Sequence, residues 1–173
     1  MLLSADGITW SHHVYASPGT LYAAAAGPDA LVAVGGISQA RYDSRSLILA
    51  SADGRAWRSQ EPNGYGYLFD IVYGNDLFVA VGGYSNPGGA HGTVLTSPDG
   101  THWTSRGTEM GDEFRGVAYG AGTFVAVGFA SIMTSSDGVH WIRQSKGGRE
   151  FRFGVALWRW NVRRCWRRVV IHA

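Results

Sequence analysis

The sequence predicts an all-β chain: a β-propeller fragment of four-stranded antiparallel blades, three near-complete, with partial blades at both ends. Three observations lead there. The tetrapeptide S-x-D-G recurs at Ser4–Gly7, Ser51–Gly54, Ser97–Gly100 and Ser135–Gly138, and a tryptophan follows each three residues later (Trp10, Trp57, Trp103 and Trp141). A second block recurs upstream, ending at Leu31–Gly35, Phe78–Gly82 and Phe124–Gly128 in the pattern (L/F)-V-A-V-G, with a spacing of 47 and then 46 residues. The chain also holds 25 Gly and 5 Pro in 173 residues, a supply of turn formers that suits many short strands.

Taken in order, the chain opens on a partial blade over 1–15, whose two strands flank the first S-x-D-G turn. Blades of about 20–60, 66–106 and 112–143 follow, and residues 149–156 begin a further one, so that 1–148 forms the repeat body. In the 66–106 blade, Leu68–Tyr73 reads as strand one and Leu77–Val81 as strand two. Thr93–Ser97 reads as strand three and His102–Arg106 as strand four. Gly74-Asn75-Asp76 and Asp99-Gly100 supply the hairpin turns. Four strands in 40–50 residues is the size of a propeller blade. A lone blade would leave an apolar face in water, so neighbours must stack. Three whole blades are few for a closed ring. The reading is therefore a piece of a larger propeller, whose open blade edges favour self-association.

Composition narrows the function classes. Residues 1–148 carry eight basic and twelve acidic side chains, a balance of −4, whereas 149–173 carry seven Arg and one Glu, a balance of +6. The body is thus acidic, and nucleic acid is not an expected partner. The one cysteine, Cys165, lies in the tail, which leaves the body without a disulfide framework or thiolate metal site. No apolar run is long enough for a membrane span, and the first residues, Met1 to Gly7, show neither the basic nor the apolar region of a signal peptide. No metal and no cofactor is expected. His12 and His13 lack a third ligand at metal spacing.

The repeated turn has a structural explanation. Asp6, Asp53, Asp99 and Asp137 each precede a Gly (Gly7, Gly54, Gly100, Gly138). A short carboxylate there accepts N–H groups of its own turn, and the Gly adopts the positive φ. The Ser two residues before each Asp (Ser4, Ser51, Ser97, Ser135) adds a further local bond. The Trp, placed on strand four, covers the seam between blades while its N–H finds a backbone acceptor. A catalytic residue is needed once per site, but this Asp occurs once per blade. His102 and His140, each just before a Trp, read as surface strand positions.

The repeat resembles the Asp-box (BNR) repeats of the sialidase-like propeller superfamily over residues 1–143, in the variant S-x-D-G-x-x-W, which has one residue fewer between Asp and Gly. The resemblance implies that the strand three–four turns lie opposite the functional face. It also implies a bacterial protein, secreted or at the cell surface. On a propeller the two–three and four–one loops share the other face, where binding residues sit. The segments Gly36–Ser46, Gly83–Gly92 and Gln60–Tyr67 place there Arg41, Tyr42, Arg45, Tyr65, Tyr67, Tyr84 and His91 as a candidate ligand face. Asp112, Glu113 and Arg115 read as a surface ion-pair cluster. A sialidase would need an arginine cluster and a Tyr–Glu pair, and no motif here assembles them. The expected function is a non-catalytic binding or scaffold module for a protein or glycan. The alternative is a piece of a sialidase-like glycoside hydrolase with its catalytic residues outside this chain.

Residues 157–173 leave the pattern as a basic tail. Phe151–Ala156 resembles a fresh strand one, but Leu157–Trp166 then reads L-W-R-W-N-V-R-R-C-W where a Y-G and F-V-A-V-G block belongs. The codons TTA TGG CGA TGG AAC GTT CGT CGC TGT TGG encode those residues. Without their first nucleotide they encode Y-G-D-G-T-F-V-A-V-G. A one-nucleotide insertion near the Ala156 codon therefore accounts for the tail, and the rival is a native Arg/Trp segment for anionic membrane or nucleic acid. Resequencing the coding DNA across this point should recover the repeat in the shifted frame. Codons incompatible with that frame would leave the tail native.

Overall fold

The computed structural model describes residues 2–3, 7–12, 19–40, 43–60, 66–107, 112–146, 152–160 and 165–172. Among them there is no helix. The first blade is β3 (Thr20–Ala26), β4 (Leu31–Ala40), β5 (Asp43–Ser51) and β6 (Arg58–Gln60). The second is β7 (Tyr67–Gly74), β8 (Leu77–Asn86), β9 (Gly89–Ser97) and β10 (Thr104–Ser105). The third is β11 (Phe114–Gly120), β12 (Thr123–Gly128), β13 (Ser131–Ser135) and β14 (Ile142–Lys146). Each is an antiparallel sheet in which neighbours in sequence are neighbours in space. Two-stranded sheets flank them: β1 (Leu2–Leu3) with β2 (Ser11–His12), and β15 (Arg152–Trp160) with β16 (Cys165–His172).

The strands that open successive sheets, β3, β7, β11 and β15, pack against one another. The sheets are therefore stacked face to face around their first strands, which is the propeller arrangement. Two apolar seams join the three blades. Val32, Val34 and Ile48 of the first blade meet Leu68, Ile71, Phe78, Ala80 and Leu95 of the second. Val79, Val81 and Val94 of the second meet Phe114, Val117, Phe124, Ala126 and Met133 of the third. The alternate residues of one strand thus face opposite seams, which is why V-A-V runs are apolar throughout. Besides these seams, Asp70 on β7 accepts the Val117 N–H of β11 at 2.8 Å. Burial pushes the Asp70 carboxyl above its ordinary value, and the N–H bonds from Val117 and Ile71 only partly oppose that.

A bulge sits at the same place in every first strand: between Leu21 and Ala23, Leu68 and Asp70, Phe114 and Gly116, and Arg152 and Gly154. It explains the glycine that closes each V-A-V-G block. A Cβ on Gly35 would stand 1.9 Å from the Thr20 carbonyl oxygen, one on Gly82 1.8 Å from that of Tyr67, and one on Gly128 2.4 Å from that of Glu113. The turn glycines are equally crowded, but by aromatic rings of the next blade: Phe78 against Gly27 and Tyr119 against Gly74.

Strand ends differ from the sequence reading. Strands two and three of the second blade run on through Gly83–Gly92 as a hairpin with Tyr84 paired to His91, where a loop was expected. Gly36–Ser46 likewise pairs within β4 and β5, apart from Arg41 and Tyr42, which lie outside the described residues. Strand four starts late: Trp103 and His102 precede β10, and Trp141 and His140 precede β14, because the carboxylate-bonded turn holds the backbone away from the ladder until after the Trp. Gly82→Ala should destabilise the chain by at least ~1–3 kcal/mol, since its new methyl meets backbone that cannot rotate away. Urea unfolding will read this, with the exposed Gly107→Ala, which meets no neighbouring atom and strains only its own backbone at φ 79°, as the milder comparison.

Candidate functional site

The antiparallel order places the two ends of each blade in different chemical roles. At one end, three S-x-D-G turns are built alike. Ser51 Oγ donates to Asp53 Oδ1 at 3.1 Å and accepts the Gly54 N–H at 2.9 Å. Asp53 Oδ1 also takes the N–H groups of Arg55 and Ala56, at 2.8 and 2.9 Å. Trp57 Nε1 closes the turn on the Gly54 carbonyl at 2.8 Å. The same bonds recur around Ser97, Asp99, Gly100 and Trp103. They recur again around Ser135, Asp137, Gly138 and Trp141. The turn glycines hold φ of 73°, 77° and 75°. Gly100 and Gly138 also press on Val32 and Leu77 of the preceding blade.

Trp103 and Trp141 cover the two seams, 6.5 and 6.4 Å from the rings of Phe78 and Phe124. Trp57 packs on Ala33, Leu47 and Leu49, the opposite face of the first blade. In the leading turn Gly7 has φ 73°, but Ser4 and Asp6 lie outside the described residues. Trp10 there is 58% exposed and covers no seam among the described residues.

His102 Nδ1 lies 2.6 Å from Asp99 Oδ2, and His140 Nδ1 lies 2.7 Å from Asp137 Oδ2. An ionised carboxylate only accepts, so the ring N–H is the donor. These rings bond their own turns in open solvent. Partial desolvation pulls the Asp99 carboxyl upward, but the backbone N–H and ring of His102 and the N–H of Thr101 outweigh it, and its pKa falls well below 3.8. The Asp137 carboxyl falls likewise, chiefly through the His140 ring and N–H. Asp53, with no His beside it, is also lowered, chiefly by the Ala56 and Arg55 N–H groups.

The other end carries a different chemistry. The bulge residues of three consecutive first strands are Tyr22, Phe69 and Arg115, and they form one row. Tyr22 and Phe69 ring centres are 5.5 Å apart, and the Arg115 guanidinium lies 3.9 Å over the Phe69 ring. Tyr67 joins the row, 6.3 Å from Tyr22 and 6.0 Å from Phe69, seated where Gly36 has no side chain. Beyond Arg115, Glu113 Oε2 pairs with the guanidinium at 2.5 Å, and Glu113 Oε1 accepts the Ser85 hydroxyl from the β8–β9 hairpin at 2.5 Å. Tyr22 remains 49% exposed. Aromatic faces, a cation and a carboxylate thus stand side by side with solvent access.

Of the candidate ligand face, Tyr67 belongs to this row. Tyr84 and His91 stack at 4.7 Å on the adjacent hairpin, and Arg45 stands on β5, opposite Ile37. Arg41, Tyr42 and Tyr65 lie outside the described residues. The acidic cluster divides: Glu113 and Arg115 form an ion pair, but Asp112 is 2% exposed and accepts the Ala130 N–H at 2.7 Å. Its carboxylate lies against Gly128, which has no side chain, at the short β12–β13 connection that it bonds. Tyr22, Phe69 and Ser85 were missed. The sequence offered little signal for the bulge positions, since two successive residues after Leu21, Leu68 and Phe114 vary together: Tyr22-Ala23, Phe69-Asp70 and Arg115-Gly116. Among the described residues no three His, Cys, Asp or Glu side chains gather as a metal group.

No protein-family model matches the chain, and no curated protein does. Solved structures do. A Bombyx mori GH32 β-fructofuranosidase mutant in complex with sucrose is 12% identical over 92% of this chain and 46% of its own, with a TM-score of 0.53. Without the mutation, that enzyme gives 14% identity, the same coverages and a TM-score of 0.50. A candidate glycosidase of Bacteroides thetaiotaomicron gives 16% identity over 78% of this chain and 55% of its own, also at 0.50. The chain spans about half the length of these structures. At such identities the likeness establishes the fold, a β-propeller, and nothing finer.

The turn carboxylates set a pH dependence. A carboxyl whose folded pKa is depressed contributes stability that is complete above the ordinary carboxylate range and is lost as pH falls through and below it. The urea midpoint of the native chain should therefore drop between about pH 5 and pH 3. Asp99→Asn with Asp137→Asn should start lower at pH 7 and drop less. Asp70 acts in the opposite sense in both proteins and cancels. Equal drops would exclude the Asp99 and Asp137 turns as the source.

Proposed function

We propose that the chain is the ligand-binding part of a non-catalytic β-propeller module, and that it holds a glycan against the row formed by Tyr22, Tyr67, Phe69 and Arg115. The observation that carries this is the convergence of three bulge positions on one solvent-accessible wall of aromatic faces with a cation stacked on it. Aromatic faces receive the C–H face of a sugar ring, and the flanking Arg115, Glu113 and Ser85 offer donors and acceptors for its hydroxyls. The S-x-D-G turns, Asp-box-like in this reading, are the rigid base of the scaffold, and in the three described ones the Ser hydroxyl, the Asp carboxylate and the Trp N–H are already bonded within their own turn. A secreted or cell-surface setting suits a glycan ligand.

A second reading, a piece of a glycoside hydrolase, is favoured by the likeness of the fold to a sucrose-binding β-fructofuranosidase. Two assays separate the readings. On a glycan microarray the 173-residue chain should bind, and Phe69→Ala and Tyr22→Ala should each weaken binding by about tenfold, equivalent to ~1.4 kcal/mol. A protein extended to the full reading frame should leave the bound glycan intact, and its cleavage of that glycan would favour the hydrolase, whose catalytic residues lie outside this chain. Absence of any glycan binding would remove the proposal.

A further inference from the structure

Resting on the glycan reading, we infer that this wall selects a neutral sugar ring and discriminates against a carboxylated one. The reason is that its arginine is already neutralised from within. Arg115 presents one edge to Glu113 Oε2, and its flat face lies on the Phe69 ring. Both oxygens of Glu113 are occupied, one by Arg115 and the other by the Ser85 hydroxyl. The pair is only partly solvent-exposed, 37% at Arg115 and 16% at Glu113, so the attraction is weakly screened compared with a free surface pair.

An incoming carboxylate would have to share the guanidinium with Glu113, which sits two residues away on the same chain and is therefore present at the high effective concentration of any tethered competitor. Success would leave two carboxylates around one guanidinium in a partly buried place, where like charges disfavour one another. Nothing on β3, β7 or β11 relieves this. Among the described residues of β3, β7 and β11, the only ionisable side chains besides Arg115 and the tyrosines belong to Asp70, an acid. A second basic residue of the same face, Arg45, stands on the separate β4–β5 hairpin of the first blade.

A neutral ring meets none of these obstacles. Its C–H face rests on Tyr22 and Phe69, and one hydroxyl can donate to Glu113 while another accepts from Arg115, with the internal ion pair intact. The arrangement recognises hydroxyl pairs and gains nothing from ligand charge.

The test is binding of the 173-residue chain to an array carrying neutral oligosaccharides beside counterparts of the same backbone bearing sialic or uronic acid, with titration of the best of each. The native chain should favour the neutral member by about tenfold or more. Glu113→Gln keeps the shape but frees the cation, and should narrow or reverse that preference. Adding Arg115→Gln should abolish the gain, which separates a charge effect from a change in packing. Near-ultraviolet circular dichroism of each variant should match that of the native chain. Should Glu113→Gln lose that signature, Glu113→Ala, which also removes the carboxylate from Arg115, should shift the preference in the same direction. A native preference for carboxylated glycans, or a preference unmoved in folded variants, would overturn the inference and leave the glycan reading standing. Absence of binding to either class would remove both.

Discussion

One backbone feature organises this molecule: the bulge near the start of each blade's first strand. It drives a carbonyl oxygen toward the neighbouring strand so closely that only hydrogen fits opposite, and a glycine stands there each time. The extra residue also takes one side chain out of the alternation that buries its neighbours. The fold therefore obtains from a single irregularity both a fixed strand register and a position free of packing duty. In three blades in succession that position holds a tyrosine, a phenylalanine and an arginine.

The seams between blades rest on a complementary device, the close approach of glycine and aromatic ring. Tyr73 and Phe78 pack at 4.7 Å, Tyr119 and Phe124 at 4.5 Å, and a tryptophan from the S-x-D-G turn completes each group. The turn gives that tryptophan a fixed origin, since its N–H, the serine and the aspartate are all bonded within seven residues of chain. Local hydrogen bonding and long-range apolar contact are thus coupled. The carboxylate that orders the turn also aims the ring that closes the seam.

The parts legible in the sequence were those that repeat. Ser97, Asp99, Gly100 and Trp103 each bond within their own turn, so their chemistry could be reasoned from spacing alone. The two–three hairpins were less legible: Gly83, Ser85 and Gly89 carry the signature of a loop, yet cross-strand pairing carries them onward as strand and leaves only Pro87-Gly88 as the turn. Asp112 resembled a surface acid, and only the short Phe129–Ala130 connection makes it an internal acceptor. Tyr22, Phe69 and Arg115 were obscured for the opposite reason. They lie about 46 residues apart and share no chemistry as a set, and only the stacking of blades brings them together.

The bulge has an evolutionary corollary. When a repeat of this kind is duplicated, the new copy brings its own glycine opposite the bulge, its own turn and one new seam, and the count of uncovered faces is unchanged. Stability then grows by a roughly constant increment, while the residue at the bulge lies outside the apolar seams, answers only to the neighbouring members of its row and can drift early. Such a scaffold separates inheritance of architecture from exploration of surface chemistry: the array can lengthen by copying and acquire recognition by point substitution, one position per blade.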